Sequence, residues 1–183
     1  SVDDYYLTHI DDITEDSQTV TISIRCDTIL DNWDKLDDSL KSDKYVPADG
    51  VILPTFRAVL RKGDTVYDIF SRVTRYSKIV TDCVYTVNYS SVYVKGINHL
   101  YEFSCGELSG WMYRVNGVFP GYGCSKYVLK DGDVIEWVYT CDLGRDVGGE
   151  FGTAPSVENV CVQQKTDTYT FFYDKIAVVS PPK

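Results

Sequence analysis

The stretch Lys62-Gly63-Asp64-Thr65-Val66-Tyr67-Asp68 constrains this chain more than any other, because it announces where a helix must begin. A Gly-containing turn leads to Thr65, whose side chain can accept from the third helical N–H, and Asp68 stands where it can reach back to the cap. Val66, Ile69, Phe70 and Val73 then recur at i, i+3, i+4 and i+7, while Asp68, Ser71, Arg72 and Arg75 fall on the other side. Such a helix has one apolar stripe and must lay it on another layer.

What surrounds it reads as strand. Val20, Ile22, Ile24 and Cys26 alternate with Thr21, Ser23 and Arg25, the pattern of a half-buried strand. Val51 to Leu60 follows with Phe56, Ala58 and Leu60 on one face, and Pro54 marks an edge or a bend. After the helix, Cys83 to Val87, Ser91 to Val94, Trp111 to Val115, Val118 to Tyr122, Tyr127 to Leu129 and Val134 to Cys141 are strand-like. Asn116-Gly117 is the strongest hairpin signal, since both residues tolerate positive φ. The segment Asp31 to Lys44 spaces Trp33, Leu36 and Leu40 as a short surface helix would. Strands, one main helix, then strands again predict an α+β domain with the helix packed across a sheet. Leu60-Arg61-Lys62-Gly63-Asp64 and Leu129-Lys130-Asp131-Gly132-Asp133 echo each other, which reads as shared turn chemistry.

The expected organisation is an acidic lead-in over 1–18, the α+β domain over 19–147, and a linker with C-terminal strands over 148–183. The linker is signalled by Gly148, Gly149, Gly152 and Pro155, and the strands by Val157 to Gln163 and Thr168 to Tyr173. The acids of the lead-in lack the spacing of a calcium loop, so they are expected to be solvated.

A net charge of -9 and a pI near 4.6 argue against binding phosphate backbones, and no apolar run in the sequence is long enough to cross a bilayer as a helix. His9 and His99 stand outside any hydrolase, metalloprotease or nucleotide motif, so a non-catalytic protein is expected. His99 in a loop reads as an ordinary side chain rather than a metal ligand. Asn88-Tyr89-Ser90 is a glycosylation acceptor sequence.

Six cysteines, Cys26, Cys83, Cys105, Cys124, Cys141 and Cys161, include no C-x-x-C pair. They read as disulfide candidates in an extracellular or cell-surface protein, with buried free thiols the alternative. Cys105 and Cys124 bracket the Trp111 hairpin, and bridging them would contribute about 3 kcal/mol.

The most distinctive run is Ser109-Gly110-Trp111-Met112-Tyr113, then Val115-Asn116-Gly117, then Lys130-Asp131-Gly132-Asp133-Val134 with Glu136-Trp137. In combination these resemble a bacterial domain of unknown function similar to the C-terminal β-domain of transcobalamin and intrinsic factor. The resemblance covers roughly Val20 to Asp146 and implies a β-grasp-like mixed sheet with one main helix. For the animal carriers it also implies a lobe closing over a corrin ring, so cobalamin or another corrinoid-like nutrient becomes the expected small-molecule ligand, with an adhesin-like module for a cell-surface protein or glycan partner, or a structural spacer, as the alternative. The carriers' large helical lobe, which makes the other half of that pocket, is missing from this sequence. In a β-grasp the first and last strands run side by side in parallel, which would bring Cys26 to Cys141 and close a loop worth about 4–5 kcal/mol. Cys83 and Cys161 are then left for each other. Trp111, Tyr113, Phe119 and Tyr122 concentrate aromatic area around one hairpin and are the candidate ligand contacts. Because Trp111, Tyr113 and Val115 alternate on a strand, core packing competes with contact at those positions, and Asn116 and Gly117 read as turn formers.

Overall fold

A computed structural model describes residues 13–149. Strand β1 (Thr19–Arg25) and β2 (Val51–Val59) are antiparallel, helix α1 (Val66–Tyr76) follows, and β3 (Thr81–Thr86), β4 (Ser91–Ile97) and β5 (Leu100–Tyr101) come next. Strands β6 (Gly110–Val115) and β7 (Val134–Thr140) complete the order. Four strands form a mixed sheet ordered β2-β1-β7-β6, in which β7 runs parallel to β1 and antiparallel to β6. The other three form an antiparallel sheet ordered β3-β4-β5. This is the α+β, β-grasp-like arrangement expected, with the first and last strands adjacent at the centre of the main sheet.

Helix α1 begins where its sequence said it would. The Thr65 amide donates to Asp68 Oδ2 at 2.8 Å and the Asp68 amide to Thr65 Oγ1 at 3.3 Å, a reciprocal capping box. Thr65→Ala is expected to lower stability by about 1 kcal/mol, read as a shift of the urea midpoint without a change of slope. Val66, Ile69, Phe70 and Val73 are all fully buried, and the Phe70 ring lies 4.6 Å from that of Trp137 on β7, centroid to centroid. One stripe thus meets one central strand.

The two echoing turns are built alike. The Arg61 amide donates to Asp64 Oδ2 and the Lys130 amide to Asp133 Oδ2, both at 2.8 Å, and Gly63 and Gly132 take φ of 85° and 82°. Each aspartate holds its own turn through a carboxylate that reaches back three residues, the local bonding that favours Asp in turns. The turns also touch, since the Leu129 amide donates to the Asp64 carbonyl at 2.9 Å.

Pro54 lies on β2, an edge of the main sheet, where the register with β1 slips between Ile22↔Phe56 and Ile24↔Leu53. An extra residue on the edge strand absorbs the missing N–H. The expected helix within Asp31 to Lys44 is replaced by two short 3-10 segments, Asp27–Lys35 and Asp38–Leu40. Asn116 and Gly117 do form a two-residue turn, with φ of 53° and 78° and Val115 bridged to Val118. The expected strand Val118 to Tyr122 does not follow, because Pro120 has no N–H for a ladder, and β6 takes β7 as its partner instead. Tyr127 to Leu129 likewise contributes an isolated bridge, Thr65↔Val128, rather than a strand. The expected C-terminal strands, Cys161, His9 and most of the acidic lead-in lie outside the described residues.

Candidate binding surface

The candidate contacts separate once the side chains are placed. Trp111 is 7% exposed and donates its Nε1–H to the Leu100 carbonyl at 2.7 Å, with its ring edge-on to Tyr139 at 5.1 Å. Tyr113 is 1% exposed and sits 5.5 Å from Trp137. Both belong to the core, the packing alternative open at these positions: their alternation on β6 turns them toward the helix layer, away from solvent. Burial holds the Tyr113 phenol far above its ordinary pKa, and its hydroxyl donates to the Tyr122 carbonyl at 2.6 Å. Tyr113 therefore positions the loop that carries Tyr122.

Phe119 goes elsewhere. Its half-buried ring lies under the Arg114 guanidinium at 5.8 Å, and Arg114 is held by Glu136 through bonds of 2.7 and 2.8 Å. Arg114 and Tyr113 are neighbours on one strand and point to opposite faces, so Phe119 and Tyr122 are not parts of one surface.

Tyr122 is 37% exposed and stacks on Tyr127, with centroids 5.7 Å apart and planes inclined by 16°. The loop between β6 and β7 is pinned along its length. The Val66 amide donates to the Tyr127 carbonyl at 3.0 Å and the Tyr67 amide to the Cys124 carbonyl at 3.1 Å, so the loop supplies acceptors that the first turn of α1 cannot find within itself. Ser125 Oγ accepts from the Val92 amide at 3.0 Å. Gly123 presses so closely on β4 that a Cβ there would fall 1.6 Å from Ser91 Oγ, which is why that position takes no side chain. The result is a flat pair of tyrosine rings on a fixed loop. It adjoins the β3–β4 hairpin, where Thr86 pairs with Ser91 and where Val84, Tyr85 and Val87 are exposed.

Tyr127 was not singled out in the sequence, because its flanking residues read as strand. The available signal was the spacing of two tyrosines around Gly123. His99 stands at φ 67° in the tight turn between β4 and β5 and packs edge-on to Tyr45 at 5.3 Å. That is an ordinary structural environment for a turn histidine. Asn88 is exposed in the turn before β4. No cluster of three or more His, Cys, Asp or Glu able to hold a metal occurs among the described residues, nor does any helix there reach the length and apolarity needed to cross a membrane.

The cysteines keep different company from that expected. β1 and β7 are parallel neighbours, but Arg25 pairs with Val138, so Cys26 falls beside Tyr139 and two residues short of Cys141. Cys141 lies beside Cys105, close enough for each thiol to shift the other's ionisation, and the Cys124 thiol donates to the Val92 carbonyl at 3.5 Å. The described cysteines are all free thiols. Burial pushes Cys26 and Cys124 up to about 12 and Cys83 up to about 11.

A mixed sheet with parallel first and last strands, crossed by one capped helix, defines a β-grasp-like domain with a loop-borne aromatic surface. Within it, residues 63–141, from the turn that opens α1 to the end of β7, match the family described as Domain of unknown function (DUF4430). Among solved structures the chain is similar to haptocorrin in complex with Cbi, at 11% identity and a TM-score of 0.47 over 72% of this chain and 27% of that one. The chain thus spans little more than a quarter of haptocorrin. It is also similar to a candidate metal-binding protein from Ruminococcus gnavus ATCC 29149, at 10% identity and a TM-score of 0.42, over 67% of this chain and 96% of that one. No curated protein matches the sequence.

Proposed function

We propose that this chain is a secreted or cell-surface, non-catalytic binding module that captures a flat amphipathic small molecule of the corrinoid class. The carrying observation is the stacked Tyr122–Tyr127 pair, Tyr122 exposed and Tyr127 half-buried beneath it, on a loop fastened to both the helix and β4. Rigid aromatic rings with polar tips offer contact area at little cost in ordering, which suits a planar partner. The corrinoid class comes from the sequence resemblance of Ser109 to Trp137. The exposed acceptor sequence at Asn88 supports an extracellular setting.

Titrating the full chain with cyano- and aquo-cobalamin, following tryptophan fluorescence and the corrin visible spectrum, tests this reading. A saturable change at micromolar concentration is expected, weakened roughly tenfold by Tyr122→Ala or Tyr127→Ala, as the loss of about 1.4 kcal/mol of contact implies. A flat titration would remove the corrinoid reading.

One observation favours a second reading, an interaction module for a protein or glycan in a surface assembly. β3 is the edge of its sheet among the described residues and exposes Val84 and Tyr85, with Val87 just beyond. Such an edge can add a strand from a partner.

A further inference from the structure

Two thiols meet at the closed end of the main sheet, where the loop between β5 and β6 folds over the end of β7. The Cys105 thiol donates to the Asn32 carbonyl at 3.4 Å and the Cys141 thiol to Thr28 Oγ1 at 3.7 Å. Asn32 and Thr28 are themselves joined, Asn32 Nδ2 donating to the Thr28 carbonyl at 2.9 Å, so both sulfurs rest on the one segment Asp27–Lys35, which kinks at Asn32. The backbones are drawn together independently of the sulfurs. Gly110 pairs with Thr140, the Leu143 amide donates to the Leu108 carbonyl at 3.0 Å, and the Cys105 amide donates to Ser109 Oγ, which is in turn bonded to the Tyr139 hydroxyl.

We propose that Cys105 and Cys141 form a disulfide that ties the β5–β6 loop to the end of β7. Both sulfurs rest on the linked Thr28 and Asn32, and both are fully or almost fully buried, so a finished bond would be shielded from reductants. Cys26 does not compete for Cys141, because its register places it beside Tyr139 and its charged neighbours are Asp27, Arg25 and Asp49. Cys124 does not compete for Cys105, because its sulfur faces the Val92 carbonyl under the Tyr122 loop.

The chemistry is thiol–disulfide exchange with an external disulfide, either oxidised glutathione or the disulfide of an oxidase. Cys105 rides on the loop between β5 and β6, so while that loop is open it is the sulfur reached first. Its thiolate attacks the external disulfide, forming a mixed disulfide and expelling one thiolate. Cys141 then attacks the Cys105 sulfur, forming the internal S–S bond and expelling the second. Two cysteine protons and two electrons end on the external sulfurs, which leave as two thiols. Because the folded loop covers Cys105, exchange takes place before that loop closes.

Trypsin separates the described cysteines, which fall in peptides 26–35, 79–95, 96–114, 115–126 and 131–145. The full chain is refolded in a glutathione redox buffer, alkylated under denaturing conditions without reductant, digested and analysed by mass spectrometry. The expected product is 96–114 joined to 131–145, converted by reduction to the two separate peptides. A link from 131–145 to 26–35, a link from 96–114 to 115–126, or full alkylation of Cys105 and Cys141 would each overturn the proposal. In Cys105→Ser, Cys141 is expected to become alkylated and the urea midpoint to become indifferent to the redox buffer. The wild-type digest decides the question even where that variant does not fold.

Discussion

Replacing Phe70 by alanine is expected to lower the stability of the domain by about 3–5 kcal/mol, the usual cost of emptying a buried aromatic site. Phe70 has no solvent exposure, and its ring sits 4.6 Å from Trp137, which in turn lies 5.5 Å from Tyr113. This row joins α1 to β7 and β6, so the cavity would open where the helix meets the centre of the sheet. Trp137 Nε1 is already buried without an acceptor among the described residues, so the site has no hydrogen bond of its own to offset the lost packing. Urea denaturation followed by tryptophan fluorescence reads the change. Phe70→Leu, which keeps most of the volume, is expected to lose about 1–1.5 kcal/mol. Similar losses for both variants would mean that the helix is not anchored through this ring. Domains hold only about 5–15 kcal/mol in reserve, so the alanine variant should be near the limit of folding at room temperature.

The helix and its cap were legible because their signals are local: a cap, its reciprocal acid and a stripe lie within nine residues, Thr65 to Val73. The parallel neighbours β1 and β7 followed from the resemblance rather than from periodicity, since nothing within either strand names its partner. Tertiary partners explain what was missed. Trp111 and Tyr113 carry the same side chains whether they face a ligand or a helix, and only the position of β6 beside β7 decides that they are core. Phe119 was separated from Tyr122 by the alternation of Arg114 and Tyr113, the residues each of them contacts. The cysteine neighbours depended on a register offset of two residues, a quantity fixed by the sheet and absent from spacing counts. The surface that remains, Tyr122 on Tyr127, exists because Gly123 and Ser125 fasten the loop to β4, a contact of more than thirty residues in sequence.

Asp64→Ala should be the second costly change, at about 2–4 kcal/mol, and its size depends on a partner that the echoing turn lacks. The Asp64 carboxylate accepts from the Arg61 amide at 2.8 Å and from Arg72 Nη1 and Nη2 at 3.0 and 2.6 Å, while Arg72 also donates to the Val59 carbonyl at 3.0 Å. One ion pair therefore fastens the end of β2, the turn and the middle of α1. Removing the carboxylate leaves a guanidinium whose side chain is only 19% exposed facing no charge. Asp133→Ala breaks the same turn bond from the Lys130 amide and beyond it strands only the neutral side-chain Nδ2 of Asn116, which donates to Asp133 Oδ1 at 2.8 Å, and about 1–2 kcal/mol is expected there. The difference between the two variants isolates the arginine. In a double-mutant cycle, Asp64→Ala with Arg72→Met should cost less than the sum of the single changes by about 1–3 kcal/mol, because the second substitution removes the charge that the first left unpaired. Equal losses at Asp64 and Asp133, together with additive behaviour in the cycle, would reduce Asp64 to a turn former like its echo and leave the helix held by its apolar stripe alone.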